Sequence, residues 1–396
     1  MPAAVRSRAD ACPGVFAPHD AADGALARIR LPGGVIDAKA LRVLAGCAEE
    51  LGDGRVHLTS RGNLQLRGLS RSPALAARLT DAGLLPSATH ERVRNVLASP
   101  LSGIAGGLAD VRGLAATLDR GLCARPELAE LPGRFLFALD DGRGDVAAED
   151  PDLCWRAPGA LLVAGMDTGL VVTAADAVAV LLDAAEAFLA LRAADGGTAW
   201  RAAELAEGPA RIAAALVYAH GAGLRPSQHG GFAAVGVQQS HHAALTDTPA
   251  AAARPGPVPR ADGGTALVVA PLLGELTADQ LRLLADTGPT AVVTPWRTLV
   301  LPASRLAATE LAAAGLVVAP GPAADVSACA GRPGCAKALA DVRADALAAI
   351  GRLPAGRVHV SGCARRCGAP RGRHVDAVAL VDGGYLIDGI ARAELG

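Results

Sequence analysis

Apolar residues recur at three- and four-residue intervals over Leu41, Leu44, Ala45 and Ala48, which marks one face of a helix. Asp37 stands before this run as an N-cap, and Gly52 closes it. A strand precedes it at Leu26–Leu31 and is broken by Pro32-Gly33-Gly34. Two strands follow, Arg55–Thr59 and Leu64–Arg67, joined by the polar loop Ser60–Asn63. A further helix has Pro73 in its first turn and ends near Gly83.

The same order returns later in the chain. Ala266–Ala270 reads as a strand, Thr277 as an N-cap, and Leu281, Leu284 and Ala285 as a helix face. Ala291–Thr294 and Thr298–Leu301 read as strands around the loop Pro295-Trp296-Arg297, and a helix runs from about Ser304. The exits Ala82-Gly83-Leu84-Leu85 and Ala314-Gly315-Leu316-Val317 correspond as well. Agreement of element order and turn positions points to an internal duplication. Two such half-units can pair about a pseudo-twofold axis.

Between the two blocks, Leu131–Phe137 leads into a strand and an acidic turn, Asp140–Asp145. Leu161–Val172 is strand-like, and helices are expected over Thr173–Ala194 and about Trp200–Tyr218. His220–Ala261 has weak periodicity and reads as a long connection. Near the C-terminus a helix is expected over Ala336–Ile350 and a strand over Arg357–Ser361.

Composition narrows the function classes. The chain has 396 residues, long enough for two to four units, and its core must be built mostly from Ala, Leu and Val. Lys+Arg total 38 and Asp+Glu 39, a formal net charge of −1, which argues against a nucleic-acid binder. No apolar run reaches the roughly 18 residues of a membrane span. Met1–Asp10 has no apolar stretch of signal-peptide type, so a cytoplasmic location is expected. The eight cysteines then read as ligands or core thiols.

Four of those cysteines form two close pairs. Cys329 and Cys335 are spaced C-x5-C, and Cys363 and Cys367 C-x3-C, both among Gly, Ala and Pro. Buried core thiols do not explain this bracketing. Structural zinc usually takes pairs spaced C-x2-4-C, a range that holds one pair and not the other. Four thiolates in a turn-rich setting suit an iron–sulfur cluster. Cys47 lies within a helix and reads as a core residue, while Cys12 stands beside Pro13-Gly14.

Arginines in loops are the second signal. Arg61, Arg94, Arg134 and Arg297 each read singly as surface residues. Together on converging loops they would bind a substrate rich in carboxylates, which guanidinium groups meet in bidentate fashion. The histidines offer little: His57 and His359 lie in strands, and His241-His242 in the connection. No H-E-x-x-H motif, 2-His-1-carboxylate pattern, P-loop or complete dinucleotide fingerprint is present.

These pieces together resemble the sulfite/nitrite reductase superfamily. Thr59-Ser60-Arg61-Gly62-Asn63-Leu64-Gln65 and Arg94-Asn95-Val96 are similar to its substrate-pocket motifs, and the cysteine quartet to its cluster ligands. The resemblance implies an α+β fold with duplicated ferredoxin-like half-units and two α/β units of sulfite/nitrite reductase type. Carried onto this chain, residues 12–80 are half-unit 1, 81–230 the first α/β unit, and 231–261 a linker. Residues 262–318 are half-unit 2, and 319–396 the α/β unit that binds the cluster.

It also implies metal ligands Cys329, Cys335, Cys363 and Cys367, with Cys367 bridging to sirohaem iron in the reductases. Arg61, Arg94, Arg134, Asn63, Gln65 and Arg297 become the expected substrate-binding residues. The reductases carry two basic residues in an L-P-R/K-K-F-K segment. Here it reads Leu131-Pro132-Gly133-Arg134-Phe135-Leu136, so one of the two is lost.

The precorrin-3B synthase branch is more similar still. It shares the opening Ala-Cys-Pro-Gly, the stretch Asp23–Gly34, the Pro295-Trp296-Arg297 loop and Ser361–Cys367. Membership would imply a monooxygenase of aerobic cobalamin synthesis that hydroxylates precorrin-3A at C20 with O2 and closes a γ-lactone. Its cofactors would be a [4Fe–4S] cluster and a mononuclear non-haem iron, whose ligands the sequence does not identify. Electrons would come from a separate reductase or ferredoxin, ultimately from NADH. A sirohaem-dependent sulfite or nitrite reductase is the alternative.

Overall fold

The computed structural model describes Asp10, residues 12–70, 72–221, 225–226 and 251–395. Two compact units result. One comprises Met1–Cys12, Arg30–Gly34 and Pro86–Thr248, the other Pro13–Ile29, Val35–Leu85 and Pro249–Gly396. The five parts expected from the sequence are thus grouped into two, and both duplicated blocks share a unit with the cysteine-bearing C-terminus.

The first block contains β1 (His19–Ala21), β2 (Gly24–Ile29), β3 (Val35–Asp37), α1 (Ala38–Leu51), β4 (Arg55–Leu58), β5 (Leu64–Leu69) and α2 (Pro73–Asp81). Asp37 caps α1, its Oδ1 accepting the Ala40 N–H at 2.7 Å. The helix buries Leu41, Leu44, Ala45 and Ala48, as its periodicity predicts, together with Cys47.

The middle of the chain supplies the six-stranded sheet of the other unit. Its strands are β6 (Val96–Ala98), β7 (Phe137–Asp140), β8 (Leu153–Arg156), β9 (Ala160–Val163), β10 (Met166–Val171) and β11 (Arg225–Pro226). β6, β7 and β8 run parallel and the remainder antiparallel. Helices α3 (Arg112–Cys123), α4 (Ala177–Ala194) and α5 (Gly208–His220) share its apolar core with Phe135, Phe137 and Trp155. The helix expected from Thr173 starts at Ala177. The one expected from Trp200 starts at Gly208, after a short 3-10 turn at Ala202–Glu204.

The second block has β12 (Gly256–Pro259), β13 (Thr265–Pro271), β14 (Glu275–Thr277), α6 (Ala278–Thr287), β15 (Thr290–Val293), β16 (Leu299–Leu301), α7 (Ala308–Ala313) and β17 (Leu316–Val317). Residues 227–250 of the expected connection lie outside the described residues. Its end is not a linker: β12 pairs with β13 along Gly256–Pro259. Thr277 caps α6 in a full capping box with Gln280. The helix expected from Ser304 begins at Ala308, because the Ser304 hydroxyl accepts the Leu306 N–H and closes a turn of its own.

The duplicated blocks exchange strands. β3 of the first pairs with β15 of the second, Ile36 opposite Ala291. β14 of the second pairs with β4 of the first, Leu276 opposite Val56. Each block thus lends the strand before its helix to the other's sheet, and α1 packs against α6. The pairing of half-units expected from the repeat is realised in this way.

The C-terminal sheet completes this unit. α8 (Pro322–Asp325) leads into β18 (Val326–Ala328), α9 (Val342–Ala349), β19 (Val358–Ser361), β20 (Val375–Ala379), β21 (Tyr385–Ile387) and β22 (Ile390–Arg392). β18, β19 and β20 run parallel. Helix α9 is shorter than expected and is capped by Asp341. Residues 336–341 are drawn instead into the cysteine loop: Ala338 donates to the Cys335 carbonyl and Leu339 to that of Gly362.

Candidate metal centre and anion-binding loops

The four cysteines of the quartet sit at the ends of adjacent strands. Cys329 follows β18 and donates its N–H to the Val360 carbonyl at 3.0 Å, while Cys335 turns back to Gly331 at 2.8 Å. Gly331 has φ +63°, and a Cβ there would lie 2.8 Å from the Val342 side chain, so the turn requires glycine. Cys363 follows β19, and the Gly362 N–H donates to the Cys329 sulfur at 3.1 Å. Cys367 is the most exposed of the four. Local desolvation raises its thiol pKa, and the sulfurs of Cys329, Cys363 and Cys335 raise it further against the opposing charge of Arg365.

The four thiols thus lie close enough for Cys367 to feel the other three. Among the described residues they do not gather three within 4.8 Å of one another. A single tetrahedral zinc, with Zn–S near 2.3 Å, would hold its sulfurs about 3.8 Å apart. A [4Fe–4S] cluster spreads its ligands over four irons and suits the wider set. The buried Ser361 Oγ has no hydrogen-bond partner and stands two residues before Cys363, a donor available to cluster sulfur. The residues present fit a cluster.

His359 lies on β19 with no solvent exposure, its Nδ1 2.9 Å from Ser327 Oγ. Its pKa is pushed down to about 4, first by burial and then by Arg297 and His374, against a backbone contact with Cys367 and the charge of Asp376. A neutral imidazole thus lies against the last cysteine, a feature its place in a strand does not announce.

The two interstrand loops of the duplicated blocks have one hydrogen-bond plan. Thr59 donates its N–H to the Asn63 carbonyl at 2.9 Å, and its Oγ1 accepts from the N–H groups of Arg61 and Asn63. Thr294 repeats this with Thr298 at 3.0 Å, its Oγ1 accepting from Trp296 and Thr298. Superposed by this pattern, Arg61 corresponds to Trp296, and Arg297 to Gly62. Arg61 is half-buried, and Asn63 is 1% exposed. Gln65 Oε1 accepts from Arg28 at 3.3 Å. Arg297 donates to the Gly368 carbonyl at 2.7 Å, so this expected substrate contact reaches the cysteine loop.

In the other unit, Arg94 is 4% exposed and forms a bidentate pair with Asp119, at 2.7 and 2.8 Å. The sequence reading missed this carboxylate, and the pair gives Arg94 a structural partner where an open anion contact was expected. Arg134 is exposed. Leu136 is 2% exposed and packs with Leu97, Ala138, Val146, Cys154 and Leu162. A side chain at Gly133 is excluded, since its Cβ would lie 2.7 Å from that of Cys12. Cys12 Sγ meets the Gly133 carbonyl at 3.3 Å and Arg30 Nη2 at 3.5 Å, which gives this isolated cysteine a packing role.

Among the described residues a mononuclear iron finds no equivalent cradle. Among the described residues the one close trio of ligand-type side chains is Asp140, Asp141 and Asp145. Asp140 already accepts from the N–H groups of Gly142, Gly144, Val146 and Ala147, and Asp141 is paired with Arg143. His241 and His242 lie outside the described residues.

Comparison with known proteins bears on this architecture. The nitrite/sulfite reductase ferredoxin-like half domain family matches residues 19–82, the first block. A precorrin-3B synthase of Sinorhizobium sp. is 28% identical over 97% of this chain and 84% of its own length. The first block is thus similar to the half domain of nitrite and sulfite reductases, and almost the whole chain to a precorrin-3B synthase. A ferredoxin–nitrite reductase of Synechococcus elongatus is 35% identical over 140 residues, 33% of this chain. That match spans only 27% of the reductase's length. The structure of the Mycobacterium tuberculosis NirA protein has the same fold, with a TM-score of 0.68 at 22% identity over 92% of this chain and 73% of that one. The fold is of sulfite/nitrite reductase type, and the proteins to which the chain is similar are enzymes. None of the helices among the described residues is long and apolar enough to cross a membrane.

Proposed function

We propose that this oxidoreductase is a precorrin-3B synthase, which hydroxylates precorrin-3A at C20 with O2 and closes a γ-lactone from the ring A acetate. The observation that carries the choice is Leu136, an apolar side chain sealed in a core. Reduction of sulfite or nitrite consumes several protons and needs donors close to the anion. The segment that supplies two basic residues in the reductases retains only Arg134 here, and Gly133 has no room for another. The near full-length similarity to a precorrin-3B synthase supports the same reading.

The substrate is a polycarboxylate macrocycle; in one unit Arg61 suits its carboxylates, with Asn63 and Gln65 shaping the Arg61 loop, and in the other unit the exposed Arg134 has the same chemistry. Arg94 would act indirectly within its unit through Asp119, and Arg297 within the other through the Gly368 carbonyl. A [4Fe–4S] cluster on Cys329, Cys335, Cys363 and Cys367 would supply electrons singly from a separate reductase or ferredoxin, with NADH as the ultimate source. One oxygen atom of O2 enters the product, and two electrons and two protons take the other to water.

The test is incubation of anaerobically purified protein with precorrin-3A, O2 and a reducing system. A product heavier by one oxygen, with a lactone, is expected. Sirohaem absorption in the purified protein, with nitrite or sulfite reduction and no such product, would place it with the reductases instead.

A further inference from the structure

Each duplicated block sends one arginine to the cysteine loops. Arg67, on β5, donates from Nη2 to the Gly334 carbonyl at 2.5 Å. Asp23 holds the same guanidinium, with Nε to Oδ2 at 2.9 Å and Nη2 to Oδ1 at 3.0 Å. Gly334 is the residue before Cys335. Arg297, in the second block's loop, donates to the carbonyl of Gly368, the residue after Cys367, at 2.7 Å.

The fit is close at both ends. A Cβ on Gly334 would stand 3.0 Å from Arg67 Nη2 and 3.0 Å from Asp23 Oδ2. One on Gly368 would stand 2.7 Å from Arg297 Nη2. Arg297 also holds φ +59°, the left-handed region, where its counterpart Gly62 holds φ +61°. A non-glycine residue is strained there, and persists where surrounding contacts over-determine it.

We propose that Arg67 and Arg297 are positioning residues for the cluster, each fixing the carbonyl beside one cysteine ligand. One clamp comes from each half of the duplication, so the two cysteine pairs are set by equivalent blocks. The Arg297 charge, held beside the cysteine loop by this contact, favours the reduced cluster. The proposal rests on the reading that the quartet holds a cluster.

Arg297→Gly removes one clamp and leaves a residue suited to the backbone, so folding is retained. Gly334→Ala presses on the other clamp at a position of ordinary φ. Full-length proteins, purified anaerobically, are compared for iron and sulfide content, the electron paramagnetic resonance signal of the reduced cluster, its midpoint potential and the rate of iron loss to a chelator. In Arg297→Gly the expected results are a more negative midpoint, an altered signal and iron loss several-fold faster than in the unsubstituted chain. Arg297→Lys should restore part of the potential, and Gly334→Ala should also lose iron faster. An Arg297→Gly protein with unchanged potential, signal and iron loss overturns the proposal, whatever Gly334→Ala does. Unsubstituted protein without iron and sulfide would instead remove the cluster reading beneath it.

Discussion

His57 on β4 shows how one residue couples the two blocks. Its Nδ1 is 3.0 Å from Glu275 on β14, and its Nε2 3.3 Å from Asp53. Arg343 and Arg55 also face Glu275, at 2.8 and 3.6 Å. Burial alone would lower the His57 pKa, but its hydrogen bonds to the Asp53 and Glu275 carboxylates, with their charges, outweigh it and the net shift is upward. A histidine raised in the native state stabilises the fold fully below its unfolded pKa of about 6.5 and loses that contribution as pH rises through the native value. Denaturation midpoints should therefore fall as pH is raised above about 6.5. His57→Gln should flatten that dependence, and an unchanged slope in this variant would refute the assignment. Sequence gave the strand position of His57 but no partner. Glu275 is far along the chain and becomes its neighbour only through strand exchange.

At the scale of the element, α1 was the most legible part of the chain. Its cap and its four apolar positions recur in the structure because a helix face depends on spacing over a few turns. Leu44 on that face has no solvent exposure. Leu44→Ala should cost about 2–5 kcal/mol, read as a lower denaturant midpoint, because a buried leucine leaves a cavity. A loss below about 0.5 kcal/mol, the level of surface changes, would show that the α1 face is not tightly packed. Less legible were α7 and α9. In each case the residues before the helix were drawn into another structure: Ser304 into its own turn, and residues 336–341 into the cysteine loop. Helical propensity ran on, and was stopped at α7 by a local side-chain turn and at α9 by bonds within the cysteine loop and to Gly362.

For the whole molecule, the cysteine quartet is the decisive feature. Cys363→Ser should abolish iron and sulfide binding together with turnover, measured by metal analysis and the product assay. A variant retaining both would contradict the ligand assignment. The candidate ligand set can be read from one dimension because it depends on thiol spacing and small neighbours. The substrate arginines were read less well. Arg94 and Arg297 resembled open loop cations, yet Asp119 and the Gly368 carbonyl engage them. Arg67, in an alternating strand, gave no sign of its reach to Gly334.

By itself the sequence determined the alternation of strands and helices, the repeated block and the cysteine pairs. These follow from periodicity, turn chemistry and spacing, which act between residues close along the chain. Only the tertiary structure decided that the blocks trade strands, that Cys12 fills the space beside Gly133, and that each block clamps one cysteine loop. Those contacts join residues remote in sequence. Their geometry is fixed by packing and by the need to pair buried polar groups, neither of which a local pattern records.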